Sequence, residues 1–153
     1  MGSKENSQWA SVRATVPVSK KIVWEALTLP EHTQKYMYHC QLHTTGVLGS
    51  TAVWKAQTKN GAWVDHIKAK VLVFDVGKQL AFEIFHEATD RFGPAVSELH
   101  FYLESIKEGT RIFIKQGDFS IIENGAERYA SCQQGWEYVL PNLLTSCLTI
   151  KNK

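Results

Sequence analysis

The feature that most restricts this chain is a long amphipathic stretch near its carboxyl end, from about Asn124 to Ile150. Apolar residues fall at Tyr129, Cys132, Trp136, Val139, Leu140, Leu143, Leu144, Cys147 and Leu148. Intervals of three and four place them on one face of an α-helix. Glu127, Arg128, Gln134 and Glu137 largely occupy the other face. The run makes a rod about 40 Å long at ~1.5 Å per residue. Such a rod cannot bury its stripe against itself and needs a broad partner. The rest of the chain supplies mostly strands. The spacing therefore predicts one long helix laid across a curved antiparallel sheet.

Reading forward, Ala10, Val12, Ala14 and Val16 alternate with polar neighbours, as in a half-buried first strand. Pro17 ends it. Ser19 is a helix cap for a short apolar face at Ile22, Val23, Ala26 and Leu27. Pro30-Glu31 opens a second short helix, because proline suits a first helical turn. A weak strand over Cys40 to Thr45 follows, then strands at Thr51 to Thr58 and Trp63 to Phe74. Asn60-Gly61 is the strongest short hairpin signal between these two. Gln79 to His86, Val96 to Ser105 and Arg111 to Phe119 complete the set, with Asp90 to Pro94 as a loop. Consecutive hairpins, two helices after the first strand and one long helix make an α+β pattern of about six or seven strands.

The 153 residues fit a single domain, with 1–8 expected as a disordered tail. That length buries roughly 70% of the unfolded surface, enough for a core. The net charge is +2 and Lys20-Lys21 is no basic block, which argues against a nucleic-acid partner. Met1 to Gln8 has no apolar core of a signal peptide. Its Met-Gly start lacks the Ser or Thr of a myristoylation motif, because Asn6 stands in that position. No run reaches the eighteen or so apolar residues of a membrane span. Cys40, Cys132 and Cys147 are odd in number, and the last two lie roughly 22 Å apart along one helix. Reduced thiols and a cytoplasmic setting are the expectation.

Two segments carry a resemblance. Val23-Trp24-Glu25-Ala26-Leu27-Thr28 with Pro30-Glu31 is similar to the first-helix motif of the activator of heat-shock-protein-90 ATPase homologue-like proteins, members of the START-like (SRPBCC) superfamily. Gly135-Trp136 with Val139-Leu140 resembles that family's motif on the final helix, and the order of elements agrees over nearly the whole chain. Tyr36 stands where the family often has tryptophan, Ala69 where it often has glycine, and Pro141 interrupts the last helix, where it should bend the axis. The resemblance implies a helix-grip fold, with a cavity between the curved sheet and the last helix. It also implies that members bind apolar molecules, that a few are cyclases or hydrolases, and that the eukaryotic namesake is a co-chaperone.

On that frame the candidate cavity residues are Tyr36, Trp54, Phe82, Phe101, Ile114, Gln116, Tyr129, Trp136 and Leu140. An apolar wall with few polar anchors suits a ligand pocket, although aromatic residues fill cores more often than they meet ligands. Asp118 shares an alternating face with Gln116, and Asp65 with Trp63 and Ile67. Each is a carboxylate that could act as a base if it faced inward, and a solvated strand position if not. His66 and His86 on neighbouring strands are acid–base candidates on the same condition. His100 falls on the solvent face. Cys40 and His43 lack the further ligands that zinc needs. No G-x-S-x-G and no phosphate-cradling glycine loop is present.

The expected function is therefore binding of a hydrophobic small molecule, without metal or cofactor, by a monomer or dimer. A cyclase- or hydrolase-type enzyme and a chaperone regulator are the alternatives. The second of these rests on fold-level analogy alone.

Overall fold

The computed structural model describes residues 8–85 and 95–151. Among these residues seven strands form one antiparallel sheet: β1 Ala10–Val16, β2 Gln41–His43, β3 Thr51–Gln57, β4 Trp63–Asp75, β5 Gln79–Phe85, β6 Ala95–Ile106 and β7 Gly109–Gly117. Their order across the sheet is β1-β7-β6-β5-β4-β3-β2. From β2 to β7 it is a meander, and the first strand closes against the last. Two short helices, α1 Lys20–Thr28 and α2 Pro30–Tyr36, follow β1, and α3 spans Gly125–Lys151. The predicted α+β helix-grip architecture is the observed one.

Local chemistry explains the boundaries. The Ser19 hydroxyl accepts from the Ile22 amide at 3.4 Å and caps α1. Pro30 sits in the first turn of α2. The Asn60-Gly61 signal marks the tip of the β3–β4 hairpin. There the Gly61 amide donates to Thr58 O at 3.0 Å, Thr58 N donates to Ala62 O at 2.7 Å, and Gly61 takes a φ of +87°. Gly109 opens β7 with φ +151°, and a Cβ there would collide with the Val16 carbonyl oxygen. The turn into the last strand thus lies against the end of the first.

Opposed residues on adjacent strands point to the same face. Leu80 and Ile114 flank Phe101, Phe82 and Gln116 flank Leu99, and Ile112 faces Leu103. All but Gln116 are at most 7% exposed and belong to the main core. Three irregularities bend the sheet, at Trp54/Lys55, Val71/Val73 and Ile84/Phe85, as β-bulges do. The helix lies in the resulting hollow. Trp136, Val139, Leu143 and Cys147 are buried, whereas Glu127, Gln134 and Glu137 are exposed. Tyr129, Cys132, Leu140 and Leu144 are half-buried, and Leu148 is 39% exposed. Pro141 stands on the exposed side, and the helix continues through it to Lys151.

α3 also packs on β1 and on both short helices. β1 is an edge strand, and Gln133 covers part of that edge. Its amide oxygen accepts from Ser11 N at 2.9 Å, and its amide nitrogen donates to Ser11 O at 3.0 Å. At the far end Lys151 Nζ donates to Pro17 O at 3.2 Å. Gln8 is tied down just before β1, its N bonded to Asp118 at 2.8 Å and its carbonyl to Phe119 N at 2.8 Å. The expected loop 90–94 and His86 lie outside the described residues.

Candidate functional site

A cavity of about 380 Å³ lies between the sheet and α3. Trp54 from β3, Ile67 from β4, Ile84 from β5 and Leu99 from β6 form its sheet side. Trp136, Val139, Cys132 and Gly135 from α3 form the opposite wall. Met37, Tyr38 and Cys40, from the segment that leaves α2, lie at one side, with His66 and Ser131 completing the lining. Gln116 at the end of β7 supplies the main polar side chain from the sheet.

That glutamine is held in one orientation. Its amide oxygen accepts from Trp136 Nε1 at 2.9 Å and from Cys132 Sγ at 3.2 Å. Indole N–H is only a donor, so the atom facing it must be oxygen. The amide nitrogen consequently faces Ser97 and donates to its hydroxyl at 2.9 Å. The two tryptophans are backed by phenylalanines. Phe101 meets Trp136 edge-on with centroids 5.7 Å apart, and Phe82 meets Trp54 at 5.0 Å. Off-parallel pairs of this kind gain beyond simple burial, so both walls are firmly supported.

Three of the nine expected residues, Trp54, Gln116 and Trp136, line this cavity. Phe82 and Phe101 stand behind the tryptophans, and Ile114 is fully buried beside Phe101 in the core. Tyr36 is 3% exposed and donates its hydroxyl to Ala26 O at 2.7 Å, within the core. Burial holds that phenol well above its ordinary pKa. Tyr129 and Leu140 are half-buried on α3, outside the lining.

The carboxylates face elsewhere. Because the β3–β4 register shifts by one residue at Trp54/Lys55, Asp65 opposes Lys55 and Ile67 opposes Trp54. The extra residue, His66, joins the cavity lining. Asp65 therefore does not share a face with Ile67 as strict alternation predicts. It is exposed and pairs with Lys55 at 3.7 Å. Asp118 lies beyond β7 and caps the short 3-10 turn Phe119–Ile121. Hydrogen bonds from the Ser120 hydroxyl and the Gln8 amide hold its carboxyl below the usual range. His100 is half-buried on the opposite face of the sheet, 2.9 Å from Glu98 and stacked on Tyr102.

Burial pushes the Cys132 thiol up to about 12 and also raises Cys40. Both stay protonated at neutral pH and behave as apolar lining rather than nucleophiles. Among the described residues no three of His, Cys, Asp or Glu come together to hold a metal, and no helix is long and apolar enough to cross a membrane. Tyr38 and Ser131 were not legible as site residues, whereas His66 was a candidate on the condition that it faced inward, and the bulge brings it to the lining. Tyr38 and His39 adopt left-handed φ values of 51° and 63°, unusual for such side chains, and this turn carries Tyr38 to the cavity.

A second cavity of about 450 Å³ adjoins the first and shares Ile67, Ile84, Gln116, Ser131 and Cys132 with it. Its remaining lining includes Ser97, Asn124, Glu127 and Arg128, so it is the more polar of the two.

A curled sheet gripping one long helix, with an apolar cleft between them, defines a START-like domain. The family model for activator of Hsp90 ATPase homolog 1-like protein matches residues 17–149, and the chain belongs to that family. Solved structures share the fold. The protein MLL2253 from Mesorhizobium loti is 17% identical with a TM-score of 0.70, covering 91% of this chain and 96% of that one. An AHSA1-like protein from Aeromonas hydrophila is 18% identical with a TM-score of 0.70 and 95% coverage of both chains. The Aha1 dimer from Colwellia psychrerythraea is 19% identical with a TM-score of 0.67, covering 91% of this chain and 95% of that one. No curated protein sequence matches this chain.

Proposed function

We propose that this START-like domain binds a hydrophobic small molecule in the cavity between the sheet and α3. The observation that carries this reading is an apolar space of about 380 Å³ walled by Trp54, Ile84, Leu99, Trp136 and Val139. Such a volume falls in the range of small-molecule sites, and mostly apolar walls with few polar groups are typical of them. Acid–base catalysis is less well supported. The cavity brings one histidine, His66, together with thiols that burial keeps protonated, and the carboxylates of Asp65 and Asp118 are turned to other tasks. Native mass spectrometry of gently purified protein, with titration of a fluorescent hydrophobic probe, tests the proposal. A bound mass or saturable probe uptake is expected. Protein that carries no ligand and takes up no probe would overturn it.

The family description favours a second reading, regulation of the Hsp90 ATPase. Recovery of the cognate chaperone in a pull-down, with a changed ATPase rate, would favour that reading over the first.

A further inference from the structure

Resting on the ligand-binding reading, the geometry points to the chemical class of the ligand. It is an apolar body that carries one carbonyl-type oxygen, in a ketone or a carboxylate. The position for that oxygen is the wall between the two cavities.

Gln116 and Ser97 form that position. The amide oxygen of Gln116 is occupied by Trp136 Nε1 and Cys132 Sγ, so the amide cannot turn over without facing donor to donor. Its nitrogen carries two hydrogens. One goes to Ser97 Oγ at 2.9 Å, and the other meets no acceptor among the described residues. The Ser97 hydroxyl accepts that bond, and its own hydrogen also meets no acceptor among them. Ser97 is only 7% exposed. Gln116 is half-buried and lines both cavities, so water meets the second amide hydrogen in the empty protein. A ligand oxygen that replaces this water keeps the bond, and an apolar group that displaces it forfeits the bond.

The two hydrogens of the Gln116 amide point in widely different directions, so an acceptor on the second lies away from Ser97. One sp² oxygen takes this Gln116 donor while the Ser97 hydroxyl holds the amide in place. Gln116 borders both cavities and Ser97 borders the second, so the oxygen would lie at their junction. The apolar body would then extend between Trp54 and Trp136. The second cavity holds a carboxylate, Glu127, beside the Arg128 guanidinium, so its charge does not choose between a ketone and a carboxylate. A purely hydrocarbon ligand would displace the water on the Gln116 donor and give it no acceptor in return.

Three probes of nearly equal shape separate these possibilities: ethylnaphthalene, acetylnaphthalene and naphthoate, titrated by their own fluorescence. Acetylnaphthalene or naphthoate should bind about tenfold more tightly than ethylnaphthalene, the yield of one hydrogen bond. Whichever leads shows whether the head group is neutral or acidic. Ser97→Ala removes the hydroxyl that holds the amide nitrogen, and should lower the ratio of acetylnaphthalene to ethylnaphthalene affinity. Gln116→Glu keeps an acceptor for Trp136 while deleting the donors, and should select against naphthoate most of all. Thermal melts establish that both variants fold, and the wild-type series decides the matter alone if they do not. Equal affinities of wild-type protein for all three probes would overturn the inference while leaving hydrophobic binding intact. Failure of all three to bind would remove the ligand-binding reading itself.

Discussion

Trp136 on α3 donates its indole N–H to the side-chain oxygen of Gln116 at the end of β7, 2.9 Å away. This bond joins the helix to the sheet at the wall of the cavity. It satisfies a buried donor, because Trp136 is only 6% exposed. It also sets which way the Gln116 amide points. A residue that fills the core and a residue that shapes the site are here the same residue.

Trp136→Phe should therefore cost more than its lost volume. The hydrogen bond contributes about 0.5–1.5 kcal/mol, and the smaller ring leaves unfilled space beside Phe101. A total of about 1–3 kcal/mol is expected, read as a lower urea midpoint at unchanged slope. Trp136→Ala should cost about 3–5 kcal/mol. Equal stability of Trp136→Phe and the wild type would mean that the bond contributes nothing to holding helix and sheet together.

The architecture was legible because its signals are local. The stripe from Cys132 to Cys147 and the alternation of Leu99, Phe101 and Leu103 are each read within one element, and all of these face the core. Site geometry depends on non-local events. Nothing within β4 announces the bulge at His66 that turns Asp65 outward, since the shift exists only relative to β3. The left-handed turn at Tyr38 and His39 contains no glycine to mark it. Tyr36 looked like cavity wall because its apolar neighbours are shared by core and pocket alike. What separates the two is a backbone oxygen ten residues back, at Ala26, that satisfies its hydroxyl in the interior.

Gly109→Ala tests the close approach of the β6–β7 turn to the end of β1. Its φ of +151° disfavours any Cβ, and the nearest atoms are backbone, which cannot rotate away as a side chain could. A loss of roughly 2–4 kcal/mol is expected, in the upper range for single substitutions. The penalty should fall on β1, seen as faster amide exchange at Val16. A neutral melting temperature would show that the first strand is not held by this contact.

Filling the cavity should separate binding from stability. Ile84 borders both cavities and is 7% exposed. Ile84→Trp places its extra volume into existing space, so the usual overpacking cost of about 1–3 kcal/mol should be largely avoided. Melting temperature should hold or rise, while uptake of a hydrophobic probe falls at least tenfold. Undiminished uptake in a well-folded variant would place the bound probe elsewhere on the protein.

The thiols set an alkaline limit. Burial raises Cys132 to about 12 and Cys147 to about 11 in the folded chain, above the ~8.5 of an unfolded cysteine. Folded pKa values above unfolded ones mean that the native state holds its protons longer. The contribution is complete below about pH 8.5 and is lost as the pH rises toward 11 and 12. The double variant Cys132→Ala and Cys147→Ala should start less stable at pH 7 and lose less between pH 8.5 and 11 than the wild type. Parallel stability curves would mean that neither thiol titrates differently in the two states. Alkylation of the native protein at pH 8 should also be slow beside that of the unfolded chain.

Gln133 tests how the sheet ends. Among the described residues β1 has a strand partner on one side only, β7, and an uncovered edge invites pairing with another chain. The Gln133 amide supplies both a donor and an acceptor to Ser11, as a neighbouring strand would. Gln133→Leu keeps the bulk and removes both bonds. It should cost about 1–2 kcal/mol, because two backbone groups lose their partners where burial is partial and water can replace them in part. The Ser11 amide should exchange with solvent at least tenfold faster, whereas amides of the central strands β5 and β6 keep their protection. Light scattering should reveal slow association of the variant if the glutamine also blocks edge pairing. Unchanged exchange at Ser11 would mean that β1 is protected by its packing under α3, and that the two hydrogen bonds are incidental.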